Sequence, residues 1–358
     1  MNFEVDRADL HRTRLVAAEP APVGQGDARL RVDAFALTSN NITYGALGDA
    51  LQYWKFFPAA DNWGRIPVWG FGEVVESNNA SVQEGERVYG YFPMSDELVV
   101  AAGKGDVRGF TDLATHRQPM AAAYNRYLRV DADPIYDAAR EGQEMVLWPL
   151  FFTSFMIDDS LADNEFFGAS EVIISSASSK TAIGSAHLLH NRAGARVVGL
   201  TSAANRGFVE KLGCYDDAVT YGEVDAMTPE RAVFIDIAGN RDVQAAIHRR
   251  FGDELAHSMI VGDTHWDHVP APDLALVGPR PELFFAPTQI AKRTHEWGQH
   301  ELDRRVGDAW RTFSAWTDGW LELRRSSGPD AVAATYHELL DGRSDPHVGH
   351  VCEMTTRS

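Results

Sequence analysis

The stretch from Glu171 to Leu200, EVIISSASSKTAIGSAHLLHNRAGARVVGL, places the tightest constraint on the fold. An apolar run suited to a buried strand leads into a small-residue loop, an amphipathic helical stretch and a second apolar strand, the opening half of a dinucleotide-binding unit. Loops of this kind ordinarily carry G-x-G-x-x-G, which lets the backbone approach a pyrophosphate and the helix lie close to the sheet. Here the loop offers Ser176, Ser178, Ser179, Lys180 and Thr181, and only Gly184 stands near the expected close contact of helix with strand.

The same rhythm continues downstream. Apolar segments at 196–200, 218–221, 232–237 and 256–262 alternate with helical stretches at 205–212 and 241–251, which predicts a parallel, doubly wound sheet whose post-strand loops share one edge. Upstream, ARLRVDAFAL, GFGEVVES, ERVYGYF and DELVVAA read as short strands separated by Gly64, Pro67, Asn78, Asn79 and Gly85, a compact β-rich barrel or rolled sheet. Residues 106–133 are less regular and suit a loop and short helix over a cleft. The tail from 288 to 325 reads as helical and carries Trp297, Trp310, Trp316 and Trp320, followed by a helix over 336–342 and a last strand. Those tryptophans read as core or subunit-interface anchors, consistent with a homodimer.

A chain of 358 residues can bury two cores, and 44% hydrophobic with 23% charged residues is a globular composition. A net charge of −18 opposes nucleic acid, whose binding depends on phosphate neutralisation by Lys and Arg. Cys214 and Cys352 are too few for a disulfide framework or a multi-cysteine zinc lobe. The N-terminal MNFEVDRADLHRTR lacks the apolar core of a signal peptide. The run from Met145 to Ile157, interrupted by Pro149, Thr153 and Ser154, falls short of the roughly 20 residues that span a bilayer. A cytoplasmic protein with a small-molecule substrate, and neither nucleic acid nor membrane as partner, is expected.

Serine hydroxyls can donate to phosphate oxygens, and Lys180 adds a full charge where the helix would aim its N-terminus. On the alternative reading, Ser178 or Ser179 caps the helix and Lys180 is solvated. At the end of the second strand GLTSAANRGF contains no acid to hold a ribose 2′-hydroxyl. Thr201, Ser202 and Arg206 therefore favour NADP(H) over NAD(H), unless Arg206 simply lies on a helix surface.

The order of parts resembles the zinc-free medium-chain dehydrogenase/reductase superfamily, which contains quinone oxidoreductases and enoyl reductases. Residues 28–49 look like its first strand and substrate loop, VWGFGEVVES with VQEGERVYGYF like its Gly-rich strand and following turn, and WPLFFTSFMI like its entry helix. EVIISSASSKTAIGSA, AVFIDIAGN and YHELLDGRSDPHVGHV are similar to its nucleotide loop, fourth cofactor-domain strand and returning strand. More narrowly, SSASSKTA with AAYNRY and LFFTSF resembles the domain-of-unknown-function 2855 branch. The resemblance implies an α/β protein: a Rossmann-like doubly wound parallel sheet domain over 148–287, and a β-rich GroES-like catalytic domain over 1–147 and 288–358. It also implies that Thr153 and Tyr221 lie near the cofactor, with Gly239 beside Asp236 shaping the end of the fourth strand. The missing loop glycines, the Trp-rich segment and the long 104–130 segment depart from the family pattern.

Zinc-dependent relatives place a histidine where Phe71 stands, so no catalytic zinc is expected. The pairs His265/His268 and His347/His350 lack a third nearby ligand. Hydride delivery without metal needs a donor for the developing oxyanion, for which Tyr44 and Asn41 are the candidates. Alternatively, Asn40 and Asn41 form a turn and Tyr44 packs in the core. His116, Arg117, Tyr124 and Asn125 form a second polar-aromatic group, in which Arg117 either meets a substrate carboxylate or cofactor phosphate or lies on the surface. The expected function is NADPH-dependent reduction of an activated alkene, quinone or carbonyl. The alternative is a reductase-like scaffold without redox activity that binds a metabolite or performs non-redox chemistry.

Overall fold

The computed structural model describes residues 1–17, 21–192, 194–237, 239–261 and 276–356. They form two compact units, Met1–Val146 with Leu321–Ser358, and Leu147–Trp320. The long helix Glu141–Asp163 carries the chain from one to the other.

The first unit is β-rich. Its main sheet runs in the order Glu322–Ser327, Val348–Glu353, Ala28–Leu37, Pro67–Ser77, Arg87–Pro93, Arg126–Arg129, Gly109–Thr111, and Glu97–Val100 also pairs with Ala28–Leu37. Alternation drives the central strand: Leu30 and Val32 are buried while Arg31 between them is exposed. The strands lie close at Gly70, where a Cβ would stand 2.4 Å from the Ala34 carbonyl oxygen, so only glycine fits. The expectation of helix through Arg325 is corrected. Residues Glu322–Ser327 are a strand parallel to Val348–Glu353, and its consecutive Arg324 and Arg325 are both exposed, as suits a sheet edge.

The second unit holds a six-stranded, wholly parallel sheet in the order Asp217–Thr220, Arg196–Thr201, Glu171–Ile174, Ala232–Asp236, Leu255–Val261, Glu282–Phe284. Its first strand, Glu171–Ile174, is central, and the chain builds outward on one side and then the other. The end of that strand is therefore a topological switch point, where ligands of doubly wound sheets bind.

The Trp-rich segment groups with this sheet rather than with the β-rich unit, which corrects the boundary expected at 288. It forms two helices, Ala286–Trp297 and Gln299–Trp316, separated at Gly298 with φ 80°. Trp310 lies 5.3 Å from Trp148 and 5.4 Å from Phe151, Phe313 stacks on Phe151 at 4.7 Å, and Trp316 meets His187 at 4.6 Å. The aromatic face thus closes over the helices Glu141–Asp163 and Lys180–Arg192. Among the described residues, the segment Ala138–Asp163 alone is long and apolar enough to cross a membrane, and 61% of its apolar window is buried in this packing.

Candidate functional site

In the second unit, Ser175 leaves the first strand and its hydroxyl bridges two strand ends. It donates to Asp236 Oδ1 at 2.8 Å and accepts the Ile237 N–H at 2.8 Å, while Gly239 N–H reaches the same Asp236 oxygen at 3.1 Å. Gly239 has φ 61°, the left-handed turn that glycine permits. Ser176 also takes a positive φ of 50°, and its N–H donates to the Tyr221 hydroxyl at 3.2 Å. Ala177 is fully buried: its N–H reaches the Leu200 carbonyl at 2.9 Å and its carbonyl accepts from Tyr215 at 2.9 Å. The chain then turns into the helix Lys180–Arg192, with Ser179 Oγ accepting the Ala182 N–H at 3.3 Å and Ser178 Oγ accepting from Asn205 at 3.1 Å. Ser179 is thus the helix cap, and both hydroxyls keep a proton to donate outward.

Lys180 is half-buried at the head of this helix, and burial pulls its ammonium down to about 8. Thr181 is half-exposed beside it, its carbonyl accepting from Ser154 at 2.8 Å. Gly184 plays a different part from the one expected. A Cβ there would meet Ser154 Oγ at 2.7 Å, so it serves the approach of helix to helix rather than of helix to strand. The close approach to the sheet is made by Gly199 instead, where a Cβ would stand 2.8 Å from that of Ala177. Its place in the strand sequence VVGL is the signal that would have found it.

Ser176, Ser178, Ser179, Lys180 and Thr181 therefore form one cluster, tied to Tyr221 directly and to Gly239 through Ser175 and Asp236. Thr153 bonds back into its own helix, its hydroxyl 3.5 Å from the Pro149 carbonyl. Thr201 is 1% exposed at its strand end, so its hydroxyl is not presented to solvent. Ser202 is half-exposed, and its carbonyl accepts the Asn205 N–H at 3.1 Å. Arg206 is half-exposed and paired with Glu210 at 2.9 Å and Glu223 at 3.0 Å.

In the β-rich unit the helix Ser39–Ala46 positions both oxyanion candidates. Asn41 is committed to structure: its carbonyl oxygen accepts the Thr38 N–H at 2.8 Å and its amide donates to the Pro67 carbonyl at 2.9 Å. The Pro67 bond uses one of its two amide N–H donors, at a position 4% exposed. Tyr44 stacks on Tyr53 at 4.3 Å and accepts from Asn40 at 2.6 Å, leaving its own proton to donate. Burial raises its phenol well above the ordinary range, so it stays neutral.

Beside Tyr44 runs a row of rings set by strand register, with Trp69 opposite Tyr91 and Phe71 opposite Tyr89. Trp69 lies 4.8 Å from Tyr91 and 5.5 Å from Tyr89, and Tyr91 lies 6.2 Å from Tyr44. Trp69 Nε1 and the hydroxyls of Tyr89 and Tyr91 are buried without a hydrogen-bond partner, as is Glu144 Oε1. Burial, with Asp133 and Glu141 adding to it, pushes the Glu144 carboxyl up to about 9, and its charge would in turn raise the Tyr89 phenol. Glu144 is therefore a neutral acid near neutral pH, able to donate a proton. A glutamate directly preceding the apolar run MVLW was the sequence signal for it.

Arg117 is wholly buried, with its fork on Asn125, Asp112 and Tyr127, each at 3.0 Å. It is a structural pin, neither a ligand contact nor a surface residue. No group of three or more potential metal ligands occurs among the described residues. His350 is buried with Nε2 at 2.8 Å from Ser344 Oγ, His347 is half-exposed, and His265 and His268 lie outside the described residues.

The fold is shared with solved structures at low sequence identity. CurA from Vibrio vulnificus in complex with NADPH aligns at TM-score 0.61 and 12% identity over 99% of this chain and 97% of that one. E. coli K-12 YhdH with bound NADPH aligns at 0.57 and 13%, over 99% and 100%. The quinone oxidoreductase of Coxiella burnetii aligns at 0.56 and 15%, over 99% of each. No curated protein matches this chain in sequence. The model of a protein family of unknown function, DUF2855, matches residues 35–345. With nearly its whole length matched, from the first long strand to beyond the last helix, the chain belongs to the DUF2855 family.

Proposed function

We propose that this protein is an NADPH-dependent, zinc-independent reductase acting on an activated alkene, quinone or carbonyl of a small organic substrate. The observation that carries this reading is the cluster at the head of the helix Lys180–Arg192, where Lys180, Ser178 and Thr181 gather at a switch point of a parallel sheet. A helix N-terminus with added hydroxyls and an ammonium suits a diphosphate even without loop glycines. That CurA and YhdH were solved with NADPH on the same fold supports the choice of cofactor. NADPH would supply the hydride. Within the β-rich unit, Tyr44 has a proton to donate to a substrate oxygen, and the ring row beside it would exclude water.

Saturable NADPH binding, followed by nucleotide fluorescence, tests this reading. Lys180→Ala is expected to weaken binding about 10- to 100-fold, the scale of a charge-assisted phosphate contact. Because a phosphate favours the charged ammonium, affinity is highest below pH 8 and declines as pH rises through about 8, where free Lys180 loses its proton. No binding at high micromolar NADPH would sink the proposal.

A second reading draws on a specific observation. The Ser176 N–H is already taken by Tyr221, and Arg206 by two carboxylates, as in a reductase-like scaffold that has turned to a metabolite and to non-redox chemistry. A non-nucleotide ligand retained through purification, with no NADPH oxidation over a panel of carbonyls and enones, would decide for it.

A further inference from the structure

Arg206 follows the second strand of the parallel sheet, the place from which an arginine reaches an adenosine 2′-phosphate in dinucleotide folds. Its guanidinium is not waiting for an anion. Nε donates to Glu210 Oε1 at 2.9 Å, and Nη1 donates to both oxygens of Glu223, at 3.1 and 3.0 Å. Glu223 is itself fixed: its Oε2 accepts the Thr220 N–H and the Thr220 hydroxyl, each at 2.9 Å. These bonds, with Arg206 alongside, lower the Glu223 carboxyl below the usual range, so it is ionised at neutral pH.

A 2′-phosphate approaching Arg206 meets two carboxylates already bound there, and one of them is anchored by its own backbone contacts. A 2′-hydroxyl meets no such repulsion and finds in Glu223 an acceptor of the kind that NAD-binding folds place near that hydroxyl.

We propose that Glu223 is a specificity-determining residue which restrains the 2′-phosphate preference offered by Arg206, so that the site discriminates only weakly between NADPH and NADH. This rests on the reductase reading of the same loop. It refines the expectation from the sequence, which found no acid at the strand end because Glu223 arrives from the turn after the next strand, 17 residues beyond Arg206.

Dissociation constants for NADPH and NADH, measured by nucleotide fluorescence on the full chain and on Glu223→Gln and Arg206→Ala, test the proposal. Both side chains are exposed, at 49% and 40%, and glutamine keeps an acceptor oxygen for Thr220, so the variants are expected to fold. Glu223→Gln should tighten NADPH about 3- to 10-fold, the effect of removing one exposed like charge beside a phosphate, and the gain should shrink in high salt. NADH affinity should change less than about 2-fold by the same screening argument. In the Glu223→Gln background, Arg206→Ala should abolish the gain.

Equal shifts for both nucleotides, or weaker NADPH binding in Glu223→Gln, would overturn the role given to Glu223 while leaving the reductase reading standing. Failure of either nucleotide to bind any variant, wild type included, would overturn both.

Discussion

The loop at 175–184 and the ring row of the β-rich unit use similar residue types in opposite ways. In the loop, hydroxyls and backbone groups are joined to one another across strand ends, as in Ser175 with Asp236, Ser176 with Tyr221 and Ala177 with Tyr215. In the row, Trp69 Nε1, Tyr89, Tyr91 and Glu144 hold polar atoms in a buried setting without partners. The first region spends its polar groups on holding shape without glycine. The second leaves them unsatisfied, which lowers stability and keeps donors in reserve.

The largest expected effect tests the second region. Glu144 holds its proton to about 9, against 4.5 for an ordinary glutamate, so the folded state binds that proton more tightly than the unfolded one. Its contribution is fully present below pH 4.5 and is lost as pH rises towards 9. Glu144→Gln, which replaces the acid with a neutral isostere, should raise stability by roughly 2 kcal/mol at pH 7 and flatten the pH dependence between 5 and 9. Urea denaturation at several pH values measures it, and a destabilised glutamine variant would show that Glu144 is paired and charged.

A smaller effect of opposite sign tests the loop. Ser175→Ala removes one donor and one acceptor at a fully buried position and should cost about 1–2 kcal/mol. If the loss is negligible, the strand ends do not depend on that bridge.

The smallest effect sets the two regions side by side. Tyr215→Phe deletes a hydroxyl bonded to the loop and should cost about 1 kcal/mol, whereas Tyr89→Phe deletes an unpartnered one and should be neutral or stabilising by less than about 1 kcal/mol. Equal losses in thermal or chemical denaturation would remove the contrast between the regions.

Much of the fold was legible because local periodicity reports it. The strand at Arg196–Thr201 and the helices Lys180–Arg192 and Arg241–Phe251 fall almost where apolar spacing placed them. The tail misled because ELRRSS carries no helical signal of its own and was read with the helices before it, whereas its parallel pairing with Val348–Glu353 decides its state. At the candidate site, contiguous residues such as Ser178, Ser179 and Lys180 were legible as a group. Asn41 was not, since nothing local shows that the Pro67 carbonyl, 26 residues away, takes its amide. Glu144 and the ring row were missed for the same reason, because burial without a partner is a property of the surroundings.

Residue order alone sets the alternation of strands and helices after a β-rich region, the lack of glycine in the nucleotide-type loop, and the lysine at the head of the following helix. These are matters of periodicity and of residue identity at neighbouring positions. It took the three-dimensional packing to show that Gly199 lets Ala177 of the loop lie against the sheet, that the Trp-rich helices close over the parallel-sheet unit, and that Glu223 holds Arg206. Each of these depends on groups far apart in the chain meeting at a distance of a few ångströms, which local pattern does not encode.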